Sequence, residues 1–271
     1  MIVKHFSALS MCPVAGFALG DAKELVCHCL VVETKRGLVV VDTGLFAETD
    51  FSSKMRAHGY FLTLMRVARD RELTAARAIE RLGYRAADVT HVVCTHLDLD
   101  HAGGIADFPD AEIHVLEDER AAAEKRATRN ERRRYIASHF THAKWKTRAP
   151  SGETWNGFSA VRALHEDEPD VLLVPLAGHT RGHAGVAVRA QSGWLLHCGD
   201  AYFHRDEMTD AAKAPWGLEL FQKTMAIDDA LRRENQRRLR ELKKSAPKDG
   251  ANAVTIFCAH SKAELEEGSA S

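Results

Sequence analysis

The chain has 271 residues, 45% of them hydrophobic, and a formal net charge of −1. That size suits one large domain, expected to run over 1–271, and a charge so near zero excludes a general electrostatic pull toward nucleic acid or anionic lipid. No run approaches the roughly 18 apolar residues of a membrane span, and the N-terminal segment lacks the basic-then-apolar order of a secretory leader, so a soluble, cytoplasmic protein is expected. The six cysteines, Cys12, Cys27, Cys29, Cys94, Cys198 and Cys258, are scattered through apolar runs and are expected to be reduced. Cys27-His28-Cys29 has no second pair at zinc-site spacing and reads as core filling.

In chain order, Leu25 to Glu33, a turn at Lys35-Arg36-Gly37, and Leu38 to Val41 read as a β-hairpin. Its second strand is apolar on both faces and should be covered on both sides. The stretch Phe51 to Val67 concentrates large apolar groups, including Tyr60 and Phe61. A substrate wall or a homodimer contact would explain it, and so would core packing. The segment from Thr74 predicts a helix stopped by Gly83, followed by a strand over His91 to Thr95. A strand at Glu112 to Leu116 and a charged helix over Glu117 to Arg134 come next. Strands are expected around Val161, at Val171 to Leu176, Gly185 to Arg189 and from Trp194, then a helix near Asp228 to Lys244 and a last strand over Ala253 to Ala259. Strand-rich halves with interspersed helices suit two sheets packed face to face, with helices outside.

The chemistry concentrates in THLDLDHAGG, Thr95 to Gly104. On an extended chain His96 and Asp98 share a face, and Asp100 and His101 follow as the chain turns. Gly103-Gly104 is expected where the backbone doubles back, ahead of a helix beginning near Ile105. Clustered carboxylates repel, and a multivalent cation is the simplest way to offset that cost. A solvated polar loop is the bland alternative, favoured for an isolated His-x-Asp but not for this set. Further ligand-type residues stand at the ends of apolar strands: His179 after Val171 to Leu176, Asp200 after Trp194 to Cys198, and His260 after Val254 to Cys258.

In this order and context the sequence resembles the metallo-β-lactamase-fold hydrolases, which include glyoxalase II and the N-acyl-homoserine lactonases. The resemblance rests on VVVDTG at Val39 to Gly44, THLDLDHAGG, AGHTRGH, CGDAYF at Cys198 to Phe203, and CAH at Cys258 to His260, and so covers most of the chain. It implies an α+β fold, the four-layer αββα sandwich, with the site at one edge of the two sheets. By position it implies that His96, Asp98 and His179 hold one divalent metal ion, that Asp100, His101 and His260 hold another, and that Asp200 bridges them. Asp42 matches a structural position near the site. His183 matches the second histidine of the family's GHTxGH, with ligand support its first reading and ligation the weaker one.

The family's usual pattern is H-x-H-x-D-H, and here Asp98 stands where the second histidine belongs. The added carboxylate makes that site harder, so zinc is the first expectation and iron or manganese the alternatives. With three carboxylates and a bridging hydroxide around two divalent ions the centre would be neutral, against +1 for the usual set. The resemblance implies a bridging hydroxide that attacks an ester or lactone carbonyl, with Asp100 and Asp200 as catalytic carboxylates. Tyr202 and His204 are candidates to orient substrate or protonate a leaving group, or else are ordinary loop residues. The expected partner is a small-molecule ester or lactone. The rival reading is a phosphodiesterase or nuclease that grips phosphates through the basic 125–148 segment, including Arg134, Lys144 and Lys146 with Tyr135, Phe140 and Trp145. A solvated helix is the bland account of that segment, so nucleic acid is not expected.

Overall fold

The computed structural model describes residues 1–45, 47, 59–68, 70–162 and 171–270, with backbone alone at 59–61, 138 and 160–162. One sheet contains β1 (Val3–Met11), β2 (Leu25–Thr34), β3 (Gly37–Val41), β4 (Val89–Val93), β5 (Glu112–Leu116) and β6 (Lys144–Arg148), side by side in chain order. The second contains β7 (Glu153–Trp155), β8 (Phe158–Arg162), β9 (Val171–Pro175), β10 (Ala184–Ala190), β11 (Gly193–His197) and β12 (Val254–Phe257), also adjacent in sequence order. The helices are α1 (Gly59–Leu64), α2 (Ala75–Arg81), α3 (Leu99–Ala102), α4 (Glu117–Lys125), α5 (Arg129–Arg134), α6 (Trp216–Met225), α7 (Asp229–Ser245) and α8 (Lys262–Ser269).

Strand alternation builds the layers. In the first sheet Leu30, Val32, Val39, Val41 and Val93 face inward and meet Val171, Leu173, Val186, Val188 and Phe257 of the second. Their neighbours Val31, Val40, Val92 and Ile113 face outward and pack against Ala75, Ala78 and Ile79 of α2. On the far side Val174, Ala187, Leu196 and Ile256 are covered by Leu239 and Leu242 of α7. The result is the expected αββα sandwich, with β3 covered on both faces because both are apolar. The β2–β3 hairpin is antiparallel, whereas β3 to β6 run parallel and β11 pairs parallel with β12. Parallel neighbours need crossover segments, and the loops that leave the C-terminal ends of β4, β11 and β12, joined by the loop after antiparallel β9, carry the polar residues of the site.

Several expectations change. The turn after β4 is helical at once: α3 spans Leu99–Ala102, and only a 3-10 turn occupies Ile105–Asp107. Gly103 has an ordinary φ, and its need for glycine is spatial, since a Cβ there would lie 1.9 Å from the Leu45 carbonyl oxygen. The charged helix breaks in two at left-handed Arg126, and α5 restarts with a capping box between Thr128 and Glu131. Strands β1, β6 and β7 and helices α6 and α8 had no clear sequence signal. All six cysteines are free, and Cys27 and Cys29 pack into separate apolar clusters. Of the 51–67 stretch, residues 51–58 and the side chains of Tyr60 and Phe61 lie outside the described residues. Leu62, Met65 and Val67 are buried with Leu45, Phe203 and Leu218. No helix among the described residues is long and apolar enough to cross a membrane.

Candidate metal centre

The loops after β4, β9, β11 and β12 converge on one buried point. Ligand atoms of His96, His179 and Asp200 lie within 4.8 Å of one another, as do those of Asp100, His101 and His260. Asp200 joins the two groups. Its Oδ1 is 3.1 Å from both His101 Nε2 and His260 Nε2, while its Oδ2 is 3.3 Å from His179 Nε2 and 3.9 Å from His96 Nε2. Asp100 lies beside the second group, 3.6 Å from His260 Nε2. Asp98 turns inward to the first, with Oδ2 at 3.1 Å from His179 Nε2 and 3.4 Å from His96 Nε2. Thus the structure brings together all seven residues predicted as ligands.

The surroundings aim these side chains. Asp42, in the left-handed region at φ 55°, accepts from the Thr95 backbone N–H with Oδ1 and from the Thr95 hydroxyl and His101 Nδ1–H with Oδ2, each at 2.8 Å. Because the Thr95 hydroxyl proton is committed to Asp42, its oxygen accepts from His96 Nδ1–H at 3.0 Å. One carboxylate thereby leaves the Nε2 atoms of both histidines directed at the centre. His260 is set by donation from Nδ1–H to the Val26 carbonyl at 2.8 Å. His183 donates from Nδ1–H to the Leu176 carbonyl at 3.0 Å and accepts the Asp200 backbone N–H on Nε2 at 2.9 Å. Both of its nitrogens are occupied, so its place is support, not ligation. The adjacent Gly199 has φ +52° and leaves room for that ring, since a Cβ would lie 2.6 Å from His183 Nε2.

Two supporting groups escaped the sequence reading. Fully buried Glu119 accepts from the Leu97 N–H at 3.0 Å, the Gly182 N–H at 3.1 Å and the Tyr135 hydroxyl at 2.9 Å. It ties the loop carrying His96 and Asp98 to the loop carrying His179 and His183. Arg134, the last residue of α5, is buried and not solvated as the helix reading implied. Its Nη1 is 3.2 Å from Asp98 Oδ2 and donates to the His179 carbonyl at 3.2 Å, and Nη2 donates to the Met225 carbonyl at 2.6 Å. A run of basic residues gives no period from which one buried member can be picked. The aromatics of the same segment are also turned inward: Tyr135 and Phe140 belong to the core, and Trp145 packs on Phe140 and Arg120.

Tyr202 is not brought to the centre. It is fully buried on the α7 side of the second sheet, its hydroxyl donates to Glu264 at 3.0 Å, and burial pushes its pKa up. His204 instead pairs with Asp21 at 3.0 Å and accepts the Asp206 N–H. The aromatic neighbour of the site is Phe203, whose ring centroid is 4.5 Å from that of His260 and 6.2 Å from that of His179.

Electrostatics separate the two groups. Burial opposes protonation of His101, but the carboxylates of Asp200, Asp100 and Asp42 outweigh it and hold its pKa well above the ordinary value. His260 is raised in the same way. At His179 burial wins and its pKa falls to about 4. Burial favours protonation of Asp98, yet the Arg134 guanidinium and His96 hold its pKa well below the carboxylate range. The donor set fits divalent metal ions. Buried His96 Nε2, His101 Nε2, Asp98 Oδ1 and Asp200 Oδ1 have no hydrogen-bond partner among the described residues, a costly arrangement unless a cation is their partner.

The comparisons agree with this architecture. Residues 22–248 match the family profile of the Metallo-beta-lactamase superfamily. The chain is 43% identical over 237 residues to a "probable metallo-hydrolase" of Mycobacterium tuberculosis, covering 87% of this chain and 74% of that one. It is 26% identical over 196 residues to an N-acyl homoserine lactonase of Bacillus cereus, covering 70% of each. Among solved structures, an N-acyl homoserine lactone hydrolase with N-hexanoyl-L-homoserine bound at its catalytic metal centre superposes with a TM-score of 0.69 at 22% identity, over 98% of this chain and 95% of that one. A dizinc quorum-quenching lactonase, AidC, superposes with a TM-score of 0.61 at 16% identity, over 96% and 87%. Fold, converging ligand loops and profile together place the chain in the metallo-beta-lactamase superfamily.

Proposed function

We propose that the chain, as one domain over 1–271, is a two-metal hydrolase of lactones or other carboxylic esters. His96, Asp98 and His179 hold one divalent ion, Asp100, His101 and His260 the other, and Asp200 bridges. Zinc is the first expectation, with iron or manganese opened by the harder Asp98. The observation that carries this reading is Asp200, whose two oxygens face separate pairs of histidine nitrogens. When bound, two such ions supply an activated water near neutral pH and a Lewis acid for a carbonyl oxygen.

The chain's own residues do the rest. Asp42, Thr95, His183 and Glu119 fix the ligand side chains and their loops before substrate arrives, so little reorganisation is needed during reaction. Hydrolysis forms one acyl C–O bond to the oxygen of water and breaks another, and the departing alkoxide takes a proton. Asp100 is the least buried of the seven, with its side chain 15% exposed, and is the carboxylate placed to hand that proton on. Phe203 sets an apolar ring beside the centre, backed by the buried cluster of Leu62, Met65, Val67 and Leu218, and an apolar neighbour of that kind suits an acyl group. The lactonase relatives support the same substrate class. A phosphodiester grip is disfavoured because the aromatics of the basic segment are packed inward and offer no stacking platform.

The test is elemental analysis of the purified protein together with a panel of lactone, ester, thioester and bis-p-nitrophenyl phosphate substrates. Near two metals per chain with lactone or ester turnover is expected. Turnover of the phosphodiester alone would overturn the substrate class, and a metal-free, metal-insensitive protein would overturn the reading itself.

A further inference from the structure

The charge of the centre depends on a residue outside the ligand set. Asp98 adds a third carboxylate, but buried Arg134 places a guanidinium nitrogen 3.2 Å from its Oδ2. That cation cannot be relieved by deprotonation. It is held in place at both ends, by the His179 carbonyl on Nη1 and the Met225 carbonyl on Nη2, so α5, the His179 loop and the end of α6 all fix its position. Asp98 Oδ1 remains buried without a partner among the described residues, while Oδ2 is shared among Arg134, His96 and His179.

We propose that Arg134 is a positioning residue that neutralises Asp98, so that the Asp98–Arg134 pair takes the place of an uncharged ligand beside the first metal. This rests on the two-metal reading above. The seven ligands carry three negative charges, from Asp98, Asp100 and Asp200, and counting Arg134 reduces the total to two, the charge of a set in which position 98 is histidine. The neutral centre expected from the ligands alone is therefore not the one the fold builds. Positions 98 and 134 form one electrostatic unit: histidine at 98 would leave a buried guanidinium without its ion-pair partner, and loss of Arg134 would leave an excess carboxylate.

The experiment is a double-mutant cycle on the full chain with Asp98→His, Arg134→Met and the combined variant, plus Arg134→Lys. Both steps of zinc binding are measured by competition with a chromophoric chelator, and the unfolding midpoint of each metal-free protein is recorded. Asp98→His alone is expected to weaken one zinc-binding step by at least about tenfold, and adding Arg134→Met to recover most of that loss. Arg134→Lys keeps the charge but cannot reach both carbonyls, so its zinc affinity should stay near the unaltered protein's while its unfolding midpoint falls. If Arg134 were merely structural, the two substitutions would act additively on zinc affinity and Arg134→Lys would behave like Arg134→Met. Either result overturns the proposal. Two zinc ions bound with uncoupled positions would sink this inference and leave the hydrolase reading standing, whereas a first site that takes neither zinc, iron nor manganese in the unaltered protein would sink both.

Discussion

Asp42 Oδ2 lies 2.8 Å from His101 Nδ1 and 2.8 Å from the Thr95 hydroxyl, which in turn accepts from His96. A single buried carboxylate that touches none of the nitrogens facing the centre thus sets the aim of one histidine in each group. Asp42→Asn keeps the volume but can turn an amide N–H toward His101 or Thr95. We expect zinc affinity to fall by about 10- to 100-fold with the fold retained. Chelator competition alongside circular dichroism checks this, and unchanged affinity would remove Asp42 from the positioning network.

His183 accepts the Asp200 backbone N–H on one ring nitrogen and spends the other on the Leu176 carbonyl. His183→Ala should keep two metals per chain while kcat drops by about 10-fold or more, because the bridging carboxylate loses its fixed backbone. Elemental analysis decides between support and ligation. Loss of one metal ion would show that His183 is a ligand.

The Tyr202 hydroxyl is consumed by Glu264 on the helix side of the second sheet, so a structural role is expected of it. Tyr202→Phe should leave kcat and KM for an ester substrate within a factor of about two and lower stability by about 1 to 2 kcal/mol, the usual effect of removing one partner of a buried hydrogen bond. A hundredfold loss of kcat would restore it to the catalytic group.

The paired histidines of β1 and β2 predict how stability responds to acid. His5 Nδ1 and His28 Nε2 are 2.8 Å apart, an arrangement that needs one donor and one acceptor and is lost when the acceptor is protonated. Burial, reinforced by His197, lowers the His5 pKa from 6.5 to about 4, and burial also holds His28 well below the ordinary value. Between those values the unfolded chain binds more protons than the folded one, so this contribution is complete above pH 6.5 and is lost as pH falls toward 4. At His5 it amounts to at most about 3 kcal/mol. The stability difference between the unaltered protein and His5→Gln, measured by denaturant unfolding at several pH values, should shrink across that window, and a pH-independent difference would refute the account.

Gly103 is packed against the chain segment that follows β3. With a Cβ only 1.9 Å from the Leu45 carbonyl oxygen and 2.5 Å from that of Leu99, Gly103→Ala must move backbone. We expect a loss of at least about 2 kcal/mol in stability, together with weaker metal binding because α3 carries Asp100 and His101. A variant as stable as the unaltered protein would show that the α3 turn has room to shift.

Elements whose signal is local are legible in the order of amino acids alone. The β2–β3 hairpin follows from β-branched runs around a Gly37 turn, and α2 from an alanine-rich segment ended at Gly83. The residues that the fold gathers at one point were legible too, because His96, Asp98, Asp100, His101, His179, Asp200 and His260 each stand where an apolar strand gives way to a polar loop. Features that depend on long-range contact emerge only once the chain is packed. Strand β6, with exposed Lys144 and Lys146, is held by pairing with β5 and not by its own pattern. Tyr202 was drawn away from the site by a carboxylate far along the chain, Glu264. Arg134, one cation in a basic run, became the counter-charge of Asp98 only when the restart of α5 at Thr128 brought it beneath the His179 loop. The physical reason is the same in each case: burial and charge pairing belong to residues that meet in space, and their cost or gain cannot be read from either residue's neighbours in sequence.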